Sequence, residues 1–179
     1  LAAARFERIT RTAAAEAVAR LSPDGTKVAY TRDHDLWVTD LAARSETRLT
    51  ADGSPTVLNG SLSWVYWEEI FDHEDAGFWW SPDGNAIAFL RTDESAVSPV
   101  SFGDFRPAVP RVITQRYPKA GGVNPSVRLG IADVGSGATV WMDAEAAPYE
   151  YVVAVEWSPD NRRVAVQTIK SVARRRWPA

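Results

Sequence analysis

The chain has 179 residues, 45% of them hydrophobic and 24% charged, which excludes an intrinsically disordered segment and sets an expectation of about one domain. A formal charge of −3 without a basic stripe argues against a nucleic-acid surface, and no apolar run approaches the ~18 residues that a membrane span needs. There is no cysteine, so disulfides, thiolate nucleophiles and cysteine-based zinc sites are excluded, and eight tryptophans point to large buried β surfaces or an aromatic-lined cavity.

The single methionine is Met142, so Leu1 reads as the start of a fragment or a processed chain. Residues 1–20 form an N-terminal arm or a short helix, because Ala13 to Arg20 is rich in good helix formers. From residue 21 a repeat organises the chain. Leu21-Ser22-Pro23-Asp24-Gly25, Trp80-Ser81-Pro82-Asp83-Gly84 and Trp157-Ser158-Pro159-Asp160-Asn161 each precede two spacer residues and an apolar segment. Proline presets the second position of a type I turn, aspartate bonds its own downstream backbone, and glycine or asparagine accepts the left-handed conformation. Each copy is therefore a β-hairpin tip, with Gly25, Gly84 and Asn161 at positive φ and Val28, Ile87 and Val164 buried by the strands that follow.

After the first tip, Asp35 to Leu41 alternates as a strand and Arg48-Leu49-Thr50 follows a polar turn, with His34 in a hairpin turn between strands. Hairpin, strand, turn and strand make one four-stranded blade of a β-propeller. The second copy is interrupted by a polar, proline-containing stretch, after which Val127 to Asp133 and Ala138 to Asp143 supply outer strands around Gly135-Ser136-Gly137. A third unit starts at Val152. The tips lie 59 and 77 residues apart, more than the roughly 40–45 of a plain blade, which requires insertions near residues 60–78 and 92–126. The expected fold is all-β: a partial β-propeller over residues 21–179, of about two to two and a half antiparallel blades, with open outer edges that invite self-association. Arg174-Arg175-Arg176 reads as a solvated tail.

The first insertion carries Trp64-Val65-Tyr66-Trp67-Glu68-Glu69-Ile70-Phe71, with Phe78, Trp79 and Trp80 following. Carboxylates against aromatic walls are costly to desolvate unless a cation meets them, and a primary ammonium offers three donors, one charge and cation–π attraction. On the residues alone two readings stand: an ammonium site, or the solvated side of an amphipathic turn. His73, within Asp72-His73-Glu74-Asp75, reads as a solvated loop rather than a metal ligand.

Trp-Val-Tyr-x-Glu-Glu-x-Phe followed by Trp-Trp-Ser-Pro-Asp-Gly resembles the propeller domain of the dipeptidyl peptidase IV family of serine exopeptidases. Tyr117-Pro118-Lys119-Ala120-Gly121-Gly122-Val123-Asn124-Pro125 resembles a second block of that family in matching order, and Asn59-Gly60 also fits. The resemblance covers roughly Ser22 to Ile169. It implies that Glu68 and Glu69 sit on a short helical insertion and bind the N-terminal ammonium of a peptide substrate, that Phe71 lines the same pocket, and that dipeptides are released after proline or alanine. The sequence departs from the family at Trp67, where relatives commonly carry an acid, and at Ser63, where they often carry aspartate. The Tyr117 block lacks the spacing of a phosphate loop and reads as a rigid connector bracing the insertion.

The family's catalytic half is an α/β-hydrolase domain whose nucleophile sits in Gly-x-Ser-x-Gly. That motif does not occur in these 179 residues, nor does a match to the family's clamping arginine, so no catalytic residue, metal or cofactor is assigned and this chain alone is expected to be inactive. The missing hydrolase domain is an expected partner. The alternative is a stand-alone propeller-type binding module that uses the repeat only as scaffold. Alanine- and arginine-rich usage fits a bacterial source, and the resemblance then implies an exported, periplasmic enzyme.

Overall fold

The Ser-Pro-Asp turns set the architecture, because each folds the strand before it back onto the strand after it. In the computed structural model, which describes residues 6–142 and 149–170, all three turns are built alike. The serine hydroxyl donates to the aspartate at 2.6 Å in each copy, Ser22 to Asp24, Ser81 to Asp83 and Ser158 to Asp160. The same aspartates accept the backbone N–H of Thr26, Asn85 and Arg162, and the serines accept that of Lys27, Ala86 and Arg163. Gly25, Gly84 and Asn161 lie at φ of 70°, 68° and 60°, as the turn chemistry requires.

The first blade is β1 (Glu16–Leu21), β2 (Lys27–Arg32), β3 (Asp35–Asp40) and β4 (Glu46–Arg48), each antiparallel to the next. β1 overturns the short-helix alternative for Ala13 to Arg20 and takes residues 16–20 into the blade. Their helix propensity is overridden because the turn at Ser22 forces Glu16–Leu21 against β2, through an irregularity between Ala17 and Arg20 with Val18 at φ 60°. Residues 6–15 form no helix or strand, and the blade begins at Glu16 rather than at residue 21. Asp33 and His34 both take positive φ, which makes the β2–β3 connection a tight hairpin.

The second blade has a divided inner strand. β5 (Val57–Asn59) and β6 (Phe78–Trp80) lie end to end along one edge of β7 (Ala86–Asp93). A separate hairpin of β8 (Pro99–Asp104) and β9 (Arg111–Arg116) then occupies the stretch that reads in sequence as a polar interruption. β10 (Ser126–Asp133) returns along the other edge of β7 over eight paired residues, and β11 (Thr139–Trp141) flanks β10. β12 (Tyr151–Trp157) and β13 (Val164–Ile169) begin a third unit. The Arg174-Arg175-Arg176 run lies outside the described residues.

β7 is apolar on both faces because both are covered. Ile87 and Phe89 pack toward the first blade with Ala29, Leu36 and Val38, whereas Ala88 and Leu90 pack toward the third unit with Val152 and Val155. Burying each large side chain contributes about 1.5–3 kcal/mol. Val28 and Ile87 are buried as the repeat predicts, but Val164 is only half-buried, since among the described residues β13 pairs with β12 alone. Two tryptophans at the same repeat position tie neighbouring units: the Trp80 indole N–H donates to the Arg20 carbonyl at 3.2 Å, and that of Trp157 to the Trp79 carbonyl at 3.1 Å.

Candidate functional site

The break in the inner strand of the second blade is where the chain leaves the sheet. Gly60 N–H donates to the Leu90 carbonyl, Leu90 N–H to Gly77, and Gly77 N–H to Gly60, so the two ends of the excursion close on each other. Gly60 lies at φ 78°, and a Cβ there would sit 3.2 Å from Leu36 and 3.3 Å from Phe78. Glycine is required by both its backbone angle and the crowding.

Asn59, fully buried at this root, fixes it to the first blade. Its amide donates to Asp35 at 3.0 Å and to Asp52 at 2.9 Å, and its backbone N–H donates to the His34 carbonyl. Asp35, also fully buried, further accepts from Thr50, Arg48 and the Gly53 N–H. Burial works against the Asp52 carboxylate, but the Arg91 and Asn59 hydrogen bonds outweigh it and hold its pKa below the usual value. Sequence reading noted Asn59-Gly60 only by resemblance and missed Asp35, Asp52 and Arg91.

Beyond the root, Tyr66–Ile70 form one π-helical turn, a rare widening that recurs at functional sites, with Phe71 N–H donating to the Tyr66 carbonyl. Its inner side is anchored. Tyr66 is fully buried, its hydroxyl accepts the Val152 N–H of β12 at 3.1 Å, and its ring meets Phe71 at 6.2 Å and Tyr151 at 6.1 Å. Loss of hydration pushes the Tyr66 phenol far above its usual pKa, so it remains protonated. Trp67, where the family pattern has an acid, turns back on the loop: its indole N–H donates to the His73 carbonyl and its ring lies 4.7 Å from the His73 ring and 5.2 Å from Trp64.

The outer side of the turn presents Glu68 and Glu69, adjacent and exposed. The second insertion reaches the first at this point, where the Tyr117 hydroxyl donates to Glu69 Oε1 at 3.3 Å. The Glu69 charge, then loss of hydration and that hydrogen bond, raise the Tyr117 pKa. Phe71 lies half-buried on the packed side, against Trp79 at 5.9 Å, in a cleft of about 390 Å³ shared with Trp80, Phe78 and Arg20. The structure thus brings Tyr117 to Glu69, beside Glu68, and places Phe71 among Tyr66, Trp79 and the cleft, whose lining includes none of Glu68, Glu69 and Tyr117. A larger cleft of about 600 Å³, between β10–β11 and β12–β13, contains none of these residues and is the groove between successive units.

This excursion from a blade's inner strand can be set beside known proteins. The chain matches the dipeptidyl peptidase IV (DPP IV) N-terminal region over residues 1–176. It is 36% identical over 166 residues to "Probable dipeptidyl-aminopeptidase B" of Ajellomyces capsulatus, a match covering 84% of this chain and 18% of that protein. It is 40% identical over 129 residues to the protein of the same name from Pyrenophora teres, covering 65% and 14% respectively. The crystal structure of Porphyromonas gingivalis dipeptidyl peptidase 4 superposes with a TM-score of 0.81 at 29% identity, covering 90% of this chain and 23% of that one. The chain therefore spans less than a quarter of the length of each relative. The repeated turns, the divided inner strand and a match running almost end to end converge on one assignment: the chain belongs to the dipeptidyl peptidase IV N-terminal region family, as part of its β-propeller.

Proposed function

We propose that this chain is the substrate-recognition region of a serine-type dipeptidyl peptidase that releases N-terminal dipeptides, Xaa-Pro or Xaa-Ala, and that Glu68 and Glu69 bind the substrate's free N-terminal ammonium. The observation that carries this reading is the pair of adjacent, exposed carboxylates on a π-helical turn whose root is held by Asn59 and whose inner side is anchored by Tyr66. An ammonium has three donors and one charge, and two carboxylates on one turn meet it from different sides with charge-assisted hydrogen bonds. Fixing the amine fixes how far the peptide extends into the enzyme, which sets the cut two residues in. The Phe71 side of the turn lines the same pocket in this reading.

Acyl transfer itself belongs to an α/β-hydrolase domain paired with this region, supplying the serine nucleophile, its histidine base and the orienting aspartate. For the chain on its own, the reading includes self-association through uncovered strand edges. The test is cleavage by the full-length native protein of an Xaa-Pro substrate with a free amine and of its N-acetylated counterpart. The free-amine substrate is expected to release a dipeptide, and acetylation, which removes the charge and two donors, to suppress cleavage by at least roughly 30-fold. Equal cleavage of both contradicts the proposal.

A further inference from the structure

The two insertions of the second blade touch through one polar pair, Tyr117 and Glu69, separated by 48 residues of sequence. Tyr117 directly follows β9 and is tied there by its own N–H to the Ser98 carbonyl, while the neighbouring Arg116 guanidinium donates to the Val97 and Ser95 carbonyls. Pro118 restricts Tyr117 to extended backbone. At the other end of the segment, the Asn124 amide donates to the Tyr151 hydroxyl at 2.7 Å and to Glu150. The strand of chain from residue 117 to 124 is thus pinned at both ends, to the β8–β9 hairpin and to the third unit, with the phenol directed at the glutamate.

We infer that Tyr117 is a positioning residue that orients the Glu69 carboxylate for the incoming ammonium, an inference that rests on the glutamate reading above. The chemistry of the donor matters. An arginine or lysine at this place would hold Glu69 equally well but would cancel its charge, and the site would lose its attraction for a cation. A phenol supplies a directed O–H without charge. It occupies one of about four acceptor positions on the carboxylate and leaves the others open to an ammonium. The raised pKa of Tyr117 keeps that proton in place across the pH range in which peptides carry an ammonium. Among the described residues no hydrogen bond or ion pair engages Glu68, so the two carboxylates divide the work: Glu69 is held in a fixed direction and Glu68 adjusts to the ligand.

The experiment is steady-state kinetics of the full-length protein and its Tyr117→Phe, Glu69→Gln and double variants, with free-amine and N-acetylated Xaa-Pro substrates. Tyr117→Phe keeps the ring, and thermal melting establishes that each variant is folded. The expected result is a roughly 3- to 10-fold lower kcat/KM for the free-amine substrate, carried by KM with kcat little changed, and no effect on the acetylated one. In the Glu69→Gln background, Tyr117→Phe adds little further loss, because the residue acts through Glu69. Equal losses on both substrates, or additive losses in the double variant, mark a merely structural role and overturn the inference. Wild-type kinetics of Tyr117→Phe beside a crippled Glu69→Gln overturn it while the glutamate reading stands. Wild-type kinetics of Glu69→Gln overturn both.

Discussion

Each Ser-Pro-Asp turn depends on one carboxylate that takes a serine O–H and a backbone N–H two residues on. These bonds hold Asp24 down to about 2 from an ordinary 3.8, the Ser22 hydroxyl being the largest influence, and lower Asp83 and Asp160 for the same reason. A carboxylate whose folded pKa is depressed contributes stability that is complete above the unfolded value and lost as pH falls through the folded one. The melting temperature should therefore decline as pH falls from 3.8 toward 2, and Asp24→Asn should show a shallower decline over that interval. A variant with the wild-type slope would remove the turn carboxylate from the acid response. The motif is legible in sequence because its partners lie within five residues of each other, and the expected positive φ at Gly25, Gly84 and Asn161 follows from the same local chemistry.

At the scale of elements, the insertion root carries the burden. Truncating Asn59 to alanine leaves the buried Asp35 without one of its donors and Asp52 held by Arg91 alone, so we expect a loss of about 1–3 kcal/mol in urea unfolding of the chain. Trp157→Phe removes the indole N–H that reaches the Trp79 carbonyl together with part of a ring packed between the second blade and the third unit, and should cost about 1–3 kcal/mol. An Asn59→Ala variant as stable as wild type would show that the root is held by the sheet alone. This network could not be read from sequence. Asp35, Asp52, Asn59 and Arg91 meet only after two blades have packed, and nothing at Asp35 distinguishes it from a polar strand end. The N-terminal segment is the converse case. Its alanines favour a helix locally, yet the turn at Ser22 leaves β2 an edge that Glu16–Leu21 fills. The β8–β9 hairpin was hidden for a different reason: its exposed strands have no buried face to impose alternation, and Phe102 and Val112 face solvent.

At the scale of the molecule, two apolar interfaces join three units in order, and among the described residues the outer edges of β4, β11 and β13 pair with no further strand. Exposed strand edges carrying residues such as Val140 and Ile169 template pairing with another chain. The isolated 179-residue chain is expected to sediment as species that grow with concentration, and a strictly monomeric profile would contradict that. The family's blade architecture was legible in the threefold turn, and the Glu-Glu excursion in its aromatic flanks. The folded chain leaves the pair exposed, so in the proposed reading an ammonium bound there gains only the modest energy of a surface ion pair unless a bound peptide and a facing domain exclude water. The most direct measurement is kcat/KM of the full-length protein and its Glu68→Gln and Glu69→Gln variants with a free-amine Xaa-Pro substrate. Enclosed charge pairs of this kind lose about 2–5 kcal/mol when one partner is removed, so each variant is predicted to fall roughly 30- to 1,000-fold with its melting temperature unchanged. Near-wild-type kcat/KM in both variants would return the two glutamates to the role of solvated surface residues.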